Sequence, residues 1–367
     1  TPRQVVFRMA IAACPMIDSR INMRLRFAEF LISALAVCLC LALLSSHSVA
    51  QNSEPLSLAS TISISDIHGR IDHFGVDVKG ERLFMAAVGN GTLEVIDLKS
   101  GKRVHTIANL EEPQGVFYDP ATNHLYVACG GDGVTKIFDG TTFQPVGSVK
   151  FPDDADNIRY DEHNKDIVVG YAGSQQLRNR ESGSGGLGFI SADGKRAGDI
   201  VIDAHPESFQ LEKSGNRVFV NVPDKKEIEV ADVPARKILA RWPVSCDSNF
   251  PMALDEAHHR LLVACREPAR LLVFDTGTGK QTASAEFAGH SDDLFYDARR
   301  ARVYVLTNAG FLDVFQQNDP DHYPRIAHIP TPPGAQTGLF VPALDKLFVG
   351  VPAREKQPAE VRVFQAR

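Results

Sequence analysis

Acids, amides and imidazoles recur at one position of the chain, just ahead of a short apolar segment. They are Asp72 and His73, Gln114, Asp156 and Asn157, Glu207, Asn249, Asp292 and Asp293, then Gln336 and Thr337. His205 and His290 stand slightly further back. Carboxylates gathered on one axis repel each other until a cation or a proton relieves them. A hard divalent cation such as calcium takes oxygens of the kind that Asn157, Glu207, Asn249 and Asp292 offer. A softer metal prefers imidazoles such as those of His73, His205 and His290. A bound metal would polarise an ester carbonyl or activate water, with His205 or His290 as proton carrier. The bland alternative is that each residue satisfies backbone groups at the end of a loop.

For that chemistry the elements carrying these residues must converge. A repeat of about 42 residues supplies the means. Each copy holds four short apolar segments separated by polar or Gly-containing turns, the signature of a propeller blade. An acid closes the first segment at Asp77, Asp119, Asp161, Glu212, Asp255 and Asp297, with Pro342 in the seventh copy. The steps between these markers are 42, 42, 51, 43, 42 and 45 residues. The sequence therefore predicts an all-β, seven-bladed propeller of four-stranded blades. The seventh copy stops after three strands, at EVRVF, and LSLASTISI (residues 56–64) supplies its fourth. Such closure removes free sheet edges.

Because strands alternate in direction, the turns between second and third strands share a face with the links into the first strands. This upper face is the predicted ligand mouth. The long step falls on an insertion at 171–186, YAGSQQLRNRESGSGG, on the same side. Its Arg178 and Arg180 are placed to meet an anionic part of a ligand. The opposite face carries Asp-Gly and Ser/Thr hairpin turns. DTGTGK at 275–280 lacks the spacing and the following helix of a phosphate loop. No GxSxG or HExxH pattern is present.

The strand phrases LYVACGGDGVTKIFD and LLVACREPARLLVFDTGTGK, with the repeat length, resemble the YVTN-type or YncE-like bacterial propellers. The tetrapeptide YVTN is itself absent; YVAC, FVNV and YVLT replace it. The resemblance implies a binding scaffold and names no ligand. GH…WD pairs are missing, as is the CxxCH motif of covalent haem attachment.

The chain has 367 residues and a formal net charge of −6. This does not give the basic footprint of a nucleic-acid binder. Residues 23–50 pair a basic MRLRF with the uncharged LISALAVCLCLALL and a small-residue tail ending at Ala50. That layout is a secretory signal peptide, with an apolar stretch too short to span a membrane. Residues 1–22 precede it as an upstream extension without structural message, and 51–367 form one domain. The predicted location is periplasmic or extracellular. Cys129, Cys246 and Cys265 remain after cleavage, an odd number without CxxC spacing. Buried thiols and a Cys246–Cys265 bridge are both open. The leading function is a non-catalytic scaffold for a small polar ligand, a metal or an envelope protein. The rival is a metal-dependent hydrolase or lactonase at the channel mouth. A quinone or electron-transfer propeller gains little from a single Trp242.

Overall fold

The computed structural model describes residues 54–173 and 185–367. The leader at 23–50, the upstream extension and both insertion arginines, Arg178 and Arg180, lie outside the described residues. Among the described residues no helix is long and apolar enough to cross a membrane.

Seven four-stranded antiparallel sheets form. Their first strands are Ile71–Asp77, Pro113–Asp119, Asp153–Tyr160, Phe209–Leu211, Asp247–Asp255, Ser291–Asp297 and Thr337–Val341. Each lies at one edge of its sheet and touches the first strand of the blade on either side. The set closes into a ring, seventh against first, so these strands line the axis. Closure occurs where the repeat count places it. Leu56–Ser63 pairs antiparallel with Glu360–Ala366, outermost in the seventh sheet.

The core sits between blades, because each sheet buries both of its faces against neighbours. One cluster joins Ile62, Ile71, Phe74 and Leu83 to Phe348 and Val361 across the closing seam. Another joins Phe189 and Ile200 to Phe209 and Val220. Cys129 is buried in such a layer, and burial pushes its thiol up to about 12. Cys246 and Cys265 form a disulfide across 19 residues, which decides between the two alternatives for that pair.

The marker acids are turn locks. Asp77 accepts the Gly80 N–H and pairs with Arg82. Asp119 takes Ala121 N–H, and Asp161 takes His163 and Asn164 N–H. A residue with positive φ follows in every blade: Glu81, Asn123, Lys165, Gly215, His259, Ala301 and Asp345. Only one is glycine, so five side-chain-bearing residues adopt a costly conformation in turns that a marker acid opens, and Asp345 does so after Pro342.

A second repeated device ties blades to their links. Strand three of blades one, four and six carries a fully buried acid: Glu94, Glu229 and Asp313. Strand four faces it with a base. Arg103 reaches Glu94 at 3.2 Å, Arg241 lies 3.8 Å from Glu229, and His328 meets Asp313 at 2.6 Å. The preceding link joins in. Asp66 binds Arg103 and Asp203 binds Arg241, both at 2.7 Å, while Ala288 N–H donates to Asp313.

Deleting residues 56–63 exposes an edge and removes Leu56 and Ile62 from the core, about 1.5–3 kcal/mol each. A thermal melt should show a clearly lowered midpoint, and an unchanged one contradicts the shared blade. Cys246→Ser should cost about 3 kcal/mol, the chain-entropy value for a loop of this order. Urea unfolding of oxidised wild type and variant measures it; equal midpoints rule out a stabilising bridge.

Candidate functional site

The polar links become a mouth through a repeated break in strand pairing. In five of the seven blades the register of strand one against strand two shifts near its upper end. The breaks fall between Ile71 and Phe74, Pro113 and Val116, Ala155 and Ile158, Asn249 and Met252, and Ser291 and Leu294. Asp72, His73, Gln114, Asp156, Asn157, Asp292 and Asp293 sit inside those breaks. A bulge frees residues from the ladder and re-aims their side chains, which explains why acids stand in otherwise apolar strands. Gly115 lets the second and third blades close beside it, since a Cβ there would lie 2.1 Å from the Asp156 carbonyl.

A cavity of about 850 Å³ opens on this face. Asp72, His73, Gln114, Asp156, Asn157, His205, Glu207 and Asp292 all line it, as the repeat alignment predicts. Asp293 lies one level deeper, on the axial channel. Three predicted residues are placed elsewhere. Thr337 is buried and donates its hydroxyl to the Ile71 carbonyl at 3.1 Å. Asn249 is fully buried, giving its amide to Asn221 Oδ1 and the Glu227 carbonyl, both at 3.0 Å. His290 is outside the cavity lining, 3.7 Å from Glu267, with its side chain 45% exposed.

The lining also contains bases that the link pattern does not reveal. Arg70 pairs with Asp72 at 3.2 Å and donates to Gln114 at 3.0 Å. Arg266 pairs with Asp292, which also accepts from Gln336, and its guanidinium stacks 3.4 Å from the Phe250 ring centroid. His73 lies between three acids, 3.3 Å from Asp293, 3.6 Å from Asp72 and 3.9 Å from Asp156. Burial opposes its charge, but Asp293, Asp72 and Asp156 outweigh that and raise its pKa to about 10. His73 is therefore an imidazolium at neutral pH, a counter-ion to the three acids.

These pairs divide the mouth. Asp72, Asp292 and Asp293 have nearby cations. On the side of blades three and four relief is poorer. Asp156 Oδ1 and Asn157 Oδ1 are buried without a hydrogen-bond partner, and so is His205 Nε2. Burial and the charge of Asp72 push the Asp156 carboxyl up to about 6, against the pull of His73. Burial first, then Asp156, push Glu207 up to about 8, with Arg266 only partly offsetting. Asp154 adds to both shifts while accepting a hydrogen bond from Gln114 at 2.9 Å.

Asp203, Glu227 and Glu229 form a separate acidic triad whose ligand oxygens lie within 4.8 Å of one another. It coincides with the blade-four tie, so Arg241 already supplies a countercharge, 2.7 Å from Asp203 and 3.8 Å from each glutamate. Burial nonetheless raises Glu229 to about 7.

No family model matches the sequence, and no curated protein matches it. Among solved structures the chain is similar to one in the crystal structure of a mitotic checkpoint complex. That match has a TM-score of 0.69 and 10% identity, covering 84% of this chain and 91% of the other. It is also similar to the Myceliophteria thermophila Cps50 (Swd1) β-propeller domain, with a TM-score of 0.66 and 13% identity, covering 85% and 100%. At such identities the likeness is one of fold alone: the comparisons support a β-propeller and do not reach the narrower YVTN-type resemblance.

Proposed function

We propose that the chain is an exported, non-catalytic binding scaffold whose upper mouth takes a small cationic ligand. The observation that carries this reading is the pair of buried acceptor oxygens on Asp156 and Asn157 that receive no hydrogen bond, beside Glu207. Buried acceptors without donors cost free energy that an incoming donor recovers. An ammonium group or a hydrated calcium ion supplies both donors and positive charge. The Cys246–Cys265 disulfide and the basic-apolar-small layout of residues 23–50 support export to the periplasm or beyond. A docking envelope protein would meet the same mouth, presenting a Lys or Arg side chain.

The metal-dependent hydrolase gains less support. Of its ligand set, Asn157, Glu207 and Asp292 line the cavity and Asn249 does not. Asp292 is engaged by Arg266 and Gln336, and Asn249 lies between blades. His290, one of its two proton carriers, is off the cavity.

Calorimetric titration of calcium and of 1,4-diaminobutane tests the reading. Wild type should bind at least one of them, more tightly as pH rises through about 6 and about 8, where Asp156 and Glu207 ionise. Glu207→Gln should weaken binding by about tenfold or more, the scale of a charge-assisted contact. No heat with either cation, or equal binding by the variant, sinks it.

The same groups set a pH dependence. Asp156 and Glu207 hold protons more tightly folded than unfolded, so the native state binds more protons above the ordinary carboxylate range. Stability then falls as pH rises. His73 acts in the same direction, since its stabilising charge is lost between its ordinary 6.5 and about 10. The thermal midpoint should decline from pH 5 to pH 9, and Glu207→Gln should flatten the part up to about 8. A midpoint that rises over this window contradicts the assigned shifts.

A further inference from the structure

Below the mouth the axis continues into a second cavity of about 340 Å³, walled by the first strands. Half-buried Val76, Phe117, Phe295 and Leu339 give it an apolar lining. The charged groups on that lining are His73, Asp293 and Arg159. His73 and Asp293 answer each other at 3.3 Å, and the second Asp293 oxygen accepts Gly338 N–H at 2.8 Å. Arg159 has no such answer. Its Nη1 donates to the carbonyl of Ile158 at 2.8 Å and its Nη2 to Ser208 Oγ at 3.3 Å, both neutral acceptors. The nearest ring, Phe209, lies 5.7 Å away. Asp156 and Asp293 are the carboxylates whose field it feels, and both face His73. Burial holds the guanidinium's affinity for its proton below the ordinary value.

A guanidinium carries five donors in a fork that matches a carboxylate. A charge held in an apolar channel on two neutral bonds is costly for the fold alone. The cost is recovered if an anion completes the fork while its apolar part covers the surrounding strands. We propose that the channel beneath the mouth is a binding site for a carboxylate carrying an apolar body, with Arg159 as its anion anchor. The proposal does not depend on the cation reading of the mouth, because a pure carboxylate probe carries no positive charge.

The test is calorimetric titration of 3-phenylpropanoate and its neutral amide into the full chain. The acid should bind saturably and the amide about tenfold or more weakly, since a charged partner strengthens the hydrogen bonds. Arg159→Met should weaken the acid by a similar factor, and Arg159→Lys by less. Thermal melts of both variants report folding. The acid–amide comparison needs only wild type, so it stands even if a variant misfolds. Absence of binding, equal binding of acid and amide, or undiminished binding by a folded Arg159→Met overturns the proposal.

Discussion

Ring closure is the constraint on which the other features depend. Seven sheets each bury both faces against neighbours, which works only if no sheet is last. The pairing of Leu56–Ser63 with Glu360–Ala366 meets that condition by building one blade from both ends of the folded region. Once the ring is closed, seven first strands must surround one axis, and whatever residues stand at their upper ends are brought together. The polar mouth is thus a consequence of closure combined with a break in strand pairing that recurs at one place in five blades. The bulges free the residues, and closure makes them neighbours.

The fold was readable because its period is written in side chains with a mechanical role. An acid at the end of strand one caps the following turn, as Asp77, Asp119 and Asp161 do, so it recurs in six of the seven copies, with Pro342 in the seventh. The left-handed residue of that turn was not readable. In six blades it is Glu, Asn, Lys, His, Ala or Asp, and only Gly215 carries the usual mark. The buried acid of strand three was readable in principle. TLEVID, EIEVAD and FLDVFQ place it at the third position, where an apolar residue is the expectation. Its base stands on strand four, so each copy must be aligned across a hairpin before the pair is visible.

The site was legible on one side only. The links into the first strands gave Asp72, His73, Gln114, Asp156, Asn157, Glu207 and Asp292, because a fixed offset from a marker acid locates each. Arg70 and Arg266 come from outside that offset. Arg266 is the penultimate residue of a second strand, Arg260–Glu267, whose turn shares the upper face, a place the offset from the marker acid does not reach. Asn249 shows the limit of the alignment: it stands six residues before its marker acid where the link residues above stand four or five, so it is the last paired residue before the break, opposite Cys265, and turns between blades toward Asn221. Arg159 lies past the break, within the regular part of its strand. There the pattern gives only the alternation of faces, and whether the inward face meets solvent, a neighbour or an empty channel depends on the ring's width.

The resulting electrostatics is uneven in a way that a purely structural mouth would not need. On one side, short pairs such as Arg70–Asp72 and Arg266–Asp292 neutralise each other and fix the wall. On the other, Asp156 and Glu207 repel each other in a low-dielectric setting, and burial raises both. Deeper still, Arg159 is held without a carboxylate contact. A flexible loop would collapse until such charges met. Here Asp156 and Arg159 are anchored on one strand, Asp153–Tyr160, inside a closed sheet, three residues apart. Side chains one or three apart on a regular strand face opposite ways, but the register break between Ala155 and Ile158 uncouples the two. The strand can therefore offer an acid to the mouth and a base to the channel without letting them neutralise each other. That separation depends on the rigidity of the ring, and it leaves opposite charges stacked along one axis.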